Sequence, residues 1–103
     1  MSWRIISRPQ AETDIARAAE WYDRQQPGLG GDWVVEAQAT YDAISKNPYL
    51  NAQKHRSQPV RWRRTHRFPY RVIYQIFEEE KCVVVWAVMH SSRHDSKWQR
   101  RVS

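Results

Sequence analysis

The stretch RFPYRVIYQIFEEEKCVVVWAVMH, Arg67 to His90, decides the fold. Tyr70–Phe77 and Cys82–His90 are rich in β-branched and aromatic residues, and the acidic run Glu78-Glu79-Glu80-Lys81 between them reads as a hairpin turn. Side chains alternate along a strand, so 70, 72, 74 and 76 share one face and 71, 73, 75 and 77 the other. In the second strand Val83, Val85, Ala87 and Met89 are set against Val84, Trp86, Val88 and His90. Both faces are largely apolar, which predicts central strands covered on each side. Pro69 precedes the first strand, where it removes no ladder donor. Arg71 stands apart, a cation on a face shared with Ile73 and Gln75. It is either solvated, paired with an acid of this chain, or aimed at an anionic partner.

Upstream, Trp3 to Ser7 is short, apolar and β-branched, which predicts a first strand. Pro9 suits the first turn of a helix, and Ala11, Ile15, Ala18, Ala19 and Tyr22 recur at three- and four-residue steps as one buried stripe. Pro27-Gly28-Leu29-Gly30-Gly31 breaks that helix, and Asp32 is placed to cap the next, whose stripe is Val34, Ala37, Tyr41 and Ile44. Asn47-Pro48 stops the second helix. So short a breaker makes the two helices an antiparallel hairpin. Val60 to Arg67 is a basic segment read as the second strand in chain order. The order is β-α-α-β-β-β: an α+β domain with an antiparallel sheet, one face packed by the N-terminal helical hairpin. The other face, with only a short basic tail to cover it, is expected to be partly open and to invite a partner.

At 103 residues the chain is one domain, 1–103, with a modest core. No apolar run is long enough for a membrane helix, and MSWRIISRPQ is too poor in apolar residues for a signal peptide. Cytoplasm is the expected compartment, with no membrane partner. Cys82, the one cysteine, can form neither an internal disulfide nor a metal cluster, and His55, His66, His90 and His94 are not spaced as ligands. No metal or cofactor is expected. The net charge of +6 is uneven: Lys54 to Arg71 holds no acid, and the basic cluster His90–Arg101 has only Asp95 against it. The acids gather at Glu12, Asp14, Glu20, Asp23, Asp32, Glu36, Asp42 and the 78–80 run. A strongly positive side follows, suited to RNA, DNA or an acidic protein segment.

The ordered set Ala18-Ala19-Glu20-Trp21-Tyr22, Pro27-Gly28-Leu29-Gly30, Ile44-Ser45-Lys46-Asn47-Pro48, Val60-Arg61, Arg67-Phe68-Pro69-Tyr70-Arg71-Val72-Ile73-Tyr74 and Ala87-Val88-Met89-His90-Ser91-Ser92-Arg93, with Trp98 and Arg101, resembles the RelE/ParE superfamily of toxins from bacterial type II toxin–antitoxin modules. Within it the ParE-like, plasmid-stabilisation branch is the nearer. The resemblance implies a microbial-ribonuclease-like fold and one of two activities. RelE-like members cut mRNA in the ribosomal A site without metal, by attack of the ribose 2′-OH; ParE-like members bind and poison DNA gyrase. Both are silenced by an antitoxin with an extended, often acidic segment.

RNA cleavage needs a base, cations for the phosphorane and an acid for the leaving oxygen. By the resemblance His90, Arg71 and Arg93 are the catalytic candidates. Two departures count against that chemistry. Arg61-Trp62-Arg63-Arg64 stands where RelE carries a lysine pair, and arginine is a poor base. Trp98 and Gln99 stand near the place of its tyrosine. The expected function is therefore a ParE-like, gyrase-poisoning toxin, with a ribosome-dependent mRNA endonuclease as the alternative and a non-toxic binding homologue as a third reading. Target- or antitoxin-binding candidates are Arg61, Arg63, Arg64, Arg67, Arg71, Arg93, Trp98 and Arg101. Each has a structural reading beside it: His90 as a strand-end cap, Trp62 and Trp98 as covers over apolar surface, Trp21, Tyr22, Tyr41 and Tyr74 as core, and the arginine cluster as a solvated edge strand.

Overall fold

The computed structural model describes residues 2–102; Met1 and Ser103, the two ends of the expected domain, lie outside the described residues. β1 (Arg4–Ser7) leads into α1 (Pro9–Gln25) and α2 (Leu29–Lys46), followed by β2 (Gln53–Lys54), β3 (Arg61–Arg64), β4 (Tyr70–Phe77), β5 (Cys82–His90) and a single turn, α3 (Ser96–Gln99). The sheet order is β1-β5-β4-β3-β2. β4 and β5 have the predicted bounds, and β2 to β5 are antiparallel. β1 adds to β5 in parallel, so the sheet is mixed. The reason is topological: two helices lie between β1 and β2, and the hairpin returns the chain to the far edge of the sheet. The strand β2 and the turn α3 were not legible as separate elements.

Pro9 opens α1, where a missing N–H costs nothing. The turn after it uses Gly28 at φ 90°, a left-handed conformation that favours glycine. α2 starts at Leu29, so Asp32 sits inside its first turn rather than capping it. The cap comes from α1 instead: Asp23 Oδ1 accepts the Gly30 N–H at 2.7 Å. That brings the helices so close that a Cβ on Gly30 would collide with the Ala19 carbonyl oxygen. The α2 stripe is Trp33, Ala37, Thr40 and Ile44, with Tyr41 half-buried; Val34, expected inside, is exposed. Trp33 takes its place, fully buried, with its indole N–H donating to the Ile15 carbonyl at 3.0 Å. Trp21, read as a packing residue, is half exposed.

Two apolar clusters sandwich the sheet. Under the helices lie Val72, Tyr74, Val83, Val85 and Val88 with Trp33 and Phe68. On the other face lie Ile73, Trp86, Ala87 and Met89, with Val60 and Trp98. The alternation along β5 shifts phase midway. Ile73 pairs with Ala87 but Tyr74 with Val85, so Trp86 is a bulged extra residue. Trp86 and Ala87 therefore share a face, and Val88 turns under the helices, contrary to strict alternation from Val83 to His90.

Candidate functional site

The face expected to be open is closed. Residues after His90 fold back over it, burying Trp98 completely and packing Val102 against the second cluster. Arg71 does point to this face, away from the helical hairpin, yet only 7% of it is exposed. Its Nη1 donates to Asp95 Oδ1 at 3.2 Å and its Nη2 to the Arg93 carbonyl at 3.1 Å. The guanidinium carbon stands 5.6 Å from the Trp62 ring centroid. Asp95 also accepts the Trp98 indole N–H at 3.3 Å and lies 3.5 Å from His55 Nε2. Burial alone would raise the Asp95 pKa, but the hydrogen bonds from Arg71 and Trp98 and the charges of Arg71 and His55 together hold it below its ordinary value. The Arg71 Nε is buried without a partner among the described residues.

A second anchor fixes the end of the segment. Arg101 clasps Asp14 of α1 with both terminal nitrogens, at 2.7 and 3.3 Å, and reaches the Trp86 carbonyl at 3.3 Å. Asp14 Oδ2 also accepts the Val88 N–H at 3.0 Å. β1 ends opposite Val85, so this carboxylate satisfies a β5 donor that has no strand partner. Neither Asp14 nor Asp95 was singled out as a site residue. Both carried a signal: Asp14 lies on the α1 face of Ala11 and Ala18, and Asp95 is the one acid in the terminal basic cluster.

His90 of β5 pairs with Tyr70 of β4, their rings edge to face with centroids 5.3 Å apart. It is on the helix side, whereas Arg71, paired with Met89, faces the other way. The His90 Nδ1 accepts the Ser92 N–H at 3.1 Å and lies 2.8 Å from the Ser92 hydroxyl oxygen. The backbone N–H can only donate, so Nδ1 is the accepting nitrogen in this arrangement. Burial, with the neighbouring Tyr22 phenol, raises the Tyr70 pKa, while the Arg93 charge draws it down. Tyr70 and His90 thus stand together on the helix side.

The remaining cations are dispersed. Arg61 and Arg63 pair with Tyr74 and Val72 and share their helix-side face; Arg64 pairs with Arg71. Arg61 stacks on Tyr49 at 5.1 Å, and Arg63 donates to the Leu50 carbonyl at 3.0 Å. Arg63, Arg64 and His66 edge a cavity of about 580 Å³ against Thr40 and Ala43 of α2. Arg67 is exposed, over its neighbour Phe68, with its N–H held by Glu36. Arg93 is exposed, and Arg64 has no ion pair among the described residues. Of the candidate binding residues, Arg64, Arg67 and Arg93 are open at the surface, Arg71 and Arg101 are bound internally, and Trp98 is core. No three His, Cys, Asp or Glu side chains converge to hold a metal among the described residues.

A helical hairpin against one face of a small mixed sheet is an α+β fold of the RelE/ParE kind. The sequence matches the family of the ParE toxin of the type II toxin–antitoxin system, parDE, over residues 5–95, and the chain belongs to that family. Among curated proteins no individual sequence matches it. Its fold is similar to a chain of the chromosomal ParDE system of P. aeruginosa, with a TM-score of 0.75 at 12% identity over 86% of this chain and 96% of that one. A mutant of the E. coli toxin RelE in the free state superposes with a TM-score of 0.65 at 19% identity over the whole of both chains. A chain of the toxin–antitoxin complex RelBE2 from Mycobacterium tuberculosis gives 0.62 at 21% identity, over 87% of this chain and 99% of that one. No helix here is long and apolar enough to cross a membrane among the described residues.

Proposed function

We propose that this toxin acts by binding and poisoning DNA gyrase, without cleaving RNA, and that a cognate antitoxin holds it silent. The observation that carries the reading is the separation of Arg71 from His90. Arg71 and His90 leave the sheet on opposite faces, and two of Arg71's nitrogens are bonded to Asp95 and Arg93. A phosphorane must be met by its base and its cations within one pocket. His90 has its Nδ1 engaged by the Ser92 backbone N–H. What remains is a surface for recognition, in which exposed Arg64, Arg67 and Arg93 are the proposed contacts. The antitoxin follows from family membership and from the likeness to the ParDE and RelBE2 chains.

A supercoiling assay with purified gyrase tests this. The expected result is inhibition or trapped cleaved DNA, weakened by Arg93→Glu; unaffected gyrase overturns it. Cuts in A-site codons on translating ribosomes that vanish in His90→Ala would install the endonuclease in its place.

A further inference from the structure

The cavity of about 580 Å³ between α2 and β3 gathers polar groups that the fold does not use. β2 pairs only with Arg61 and Trp62, so β3 is uncovered at Arg63 and Arg64. Arg63 shares the helix-side face of Val72 and gives one N–H to the Leu50 carbonyl at 3.0 Å. Its other guanidinium donors, the Arg64 guanidinium, the His66 ring and the Asn51 and Gln53 amides have no hydrogen-bond partner among the described residues. Thr40, buried in the wall, donates its hydroxyl to the Glu36 carbonyl at 3.0 Å and keeps its oxygen free to accept. Glu36 is the one carboxylate among the described lining residues, and the Arg67 and Phe68 N–H groups take up its Oε2.

The lining selects the ligand. Two guanidiniums and an imidazole in one concavity match a phosphate, which takes several charge-assisted hydrogen bonds at once. No Trp, Tyr or Phe lines the cavity among the described residues, so a nucleobase would have nothing to stack on. Amides and a hydroxyl instead suit neutral hydroxyl groups, which both donate and accept. The volume lies within the roughly 300–1,000 Å³ of small-molecule sites. We propose that this cavity binds a phosphorylated sugar. The phosphate sits between Arg63, Arg64 and His66, and the sugar hydroxyls meet Asn51, Gln53 and Thr40. Arg71 and His90 line no part of it, so the site is separate from the nuclease candidates. Arg64 is shared with the surface proposed for gyrase, but the binding test contains no gyrase, so either reading can fail alone.

The probe is ribose 5-phosphate, titrated into the ¹⁵N-labelled protein at constant ionic strength. Saturable amide shifts are expected at Thr40, Asn51, Arg64, Thr65 and His66. Ribose alone should give none, and inorganic phosphate should bind about tenfold more weakly for want of the hydroxyl contacts. Arg64→Gln and His66→Asn, both at exposed positions, should each weaken binding about tenfold, one charge-assisted contact apiece. Arg17→Gln, which removes an exposed cation of α1 outside the cavity, should bind as the wild type does. Absent or non-saturating shifts overturn the proposal, as do shifts centred on β1 or α3, equal binding of ribose, or indifference to Arg64→Gln. An equal loss in Arg17→Gln would mark general charge attraction and overturn it too. Tighter binding of a single-stranded oligonucleotide without terminal phosphates would assign the cavity to a nucleic-acid backbone, and also overturn it.

Discussion

Arg71 Nη1 and Asp95 Oδ1 lie 3.2 Å apart, a bond that joins a central strand to the terminal turn and closes the sheet face the helices leave. The same carboxylate takes the Trp98 indole N–H, so one acid organises both the cation beneath it and the aromatic that covers it.

Asp95→Ala should therefore leave Arg71 buried without its counterion. Breaking a fully buried pair costs about 3–5 kcal/mol; since the Asp95 side chain is 35% exposed, about 2 kcal/mol is expected, read by urea denaturation. Hydrogen exchange at the Trp98 amide should quicken, and Arg71→Met in the same chain should recover part of the loss. The Asp95 pKa is depressed in the folded state, so its contribution is present above the ordinary carboxylate value of 3.8 and fades as pH falls through the lower folded value.

The clasp between Arg101 and Asp14 spans 87 residues. Asp14→Ala strips both the guanidinium and the Val88 N–H of their acceptor, and about 2–3 kcal/mol of stability should go with it. Asp14→Asn, which keeps an acceptor, should lose less. Arg101→Lys should not restore the wild-type transition, because an ammonium cannot match the two-nitrogen contact. Thermal melts of the three variants rank them.

Neighbouring glycines should respond in opposite directions. A Cβ on Gly30 meets the Ala19 carbonyl and the Asp23 carboxylate, so Gly30→Ala should cost about 2 kcal/mol or more. Nothing lies within 4 Å of a Cβ on Gly31, and Gly31→Ala should stabilise by about 0.4–1 kcal/mol through the unfolded chain. Chemical denaturation of the pair decides it.

Alkali should unfold the protein ahead of arginine chemistry. Burial pushes the Tyr74 phenol up to about 12, with Arg61 and Arg63 drawing it back, and burial likewise pushes Tyr41 to about 12. Above the unfolded value of 10.0 the unfolded chain gives up these protons while the folded one keeps them, so stability falls as pH rises from 10.0 to about 12. The loss is on the order of 2 kcal/mol per phenol. Tyr74→Phe should flatten this slope while lowering stability at neutral pH, since its hydroxyl donates to the Pro48 carbonyl at 2.6 Å.

Much of the architecture was legible because it is local. Period-two and period-3.6 patterns, Pro9, the glycine-rich breaker and Asn47-Pro48 mark elements through backbone physics that acts within a few residues. The errors also have local causes with distant resolutions. Val34 and Trp33 are adjacent, and only the approach of α1 to α2 over Gly30 selects the tryptophan for the core. The β5 alternation fails at Trp86 because a bulge depends on the partner strand's register. Of the site, the sequence marked the cations but not their engagement: Arg64 and Arg93 remain outside, while Trp98 is core.

By itself the sequence determined the helical hairpin, the two long strands, the excess of positive charge and membership of the ParE toxin family. Only the tertiary structure decided which of those charges face outward. Arg71, Arg93 and Arg101 are equally basic in sequence, but burial separates them: Asp95 and Asp14, brought in from distant parts of the chain, compensate two of the three, because a guanidinium leaves water only where a carboxylate and carbonyls replace its solvation.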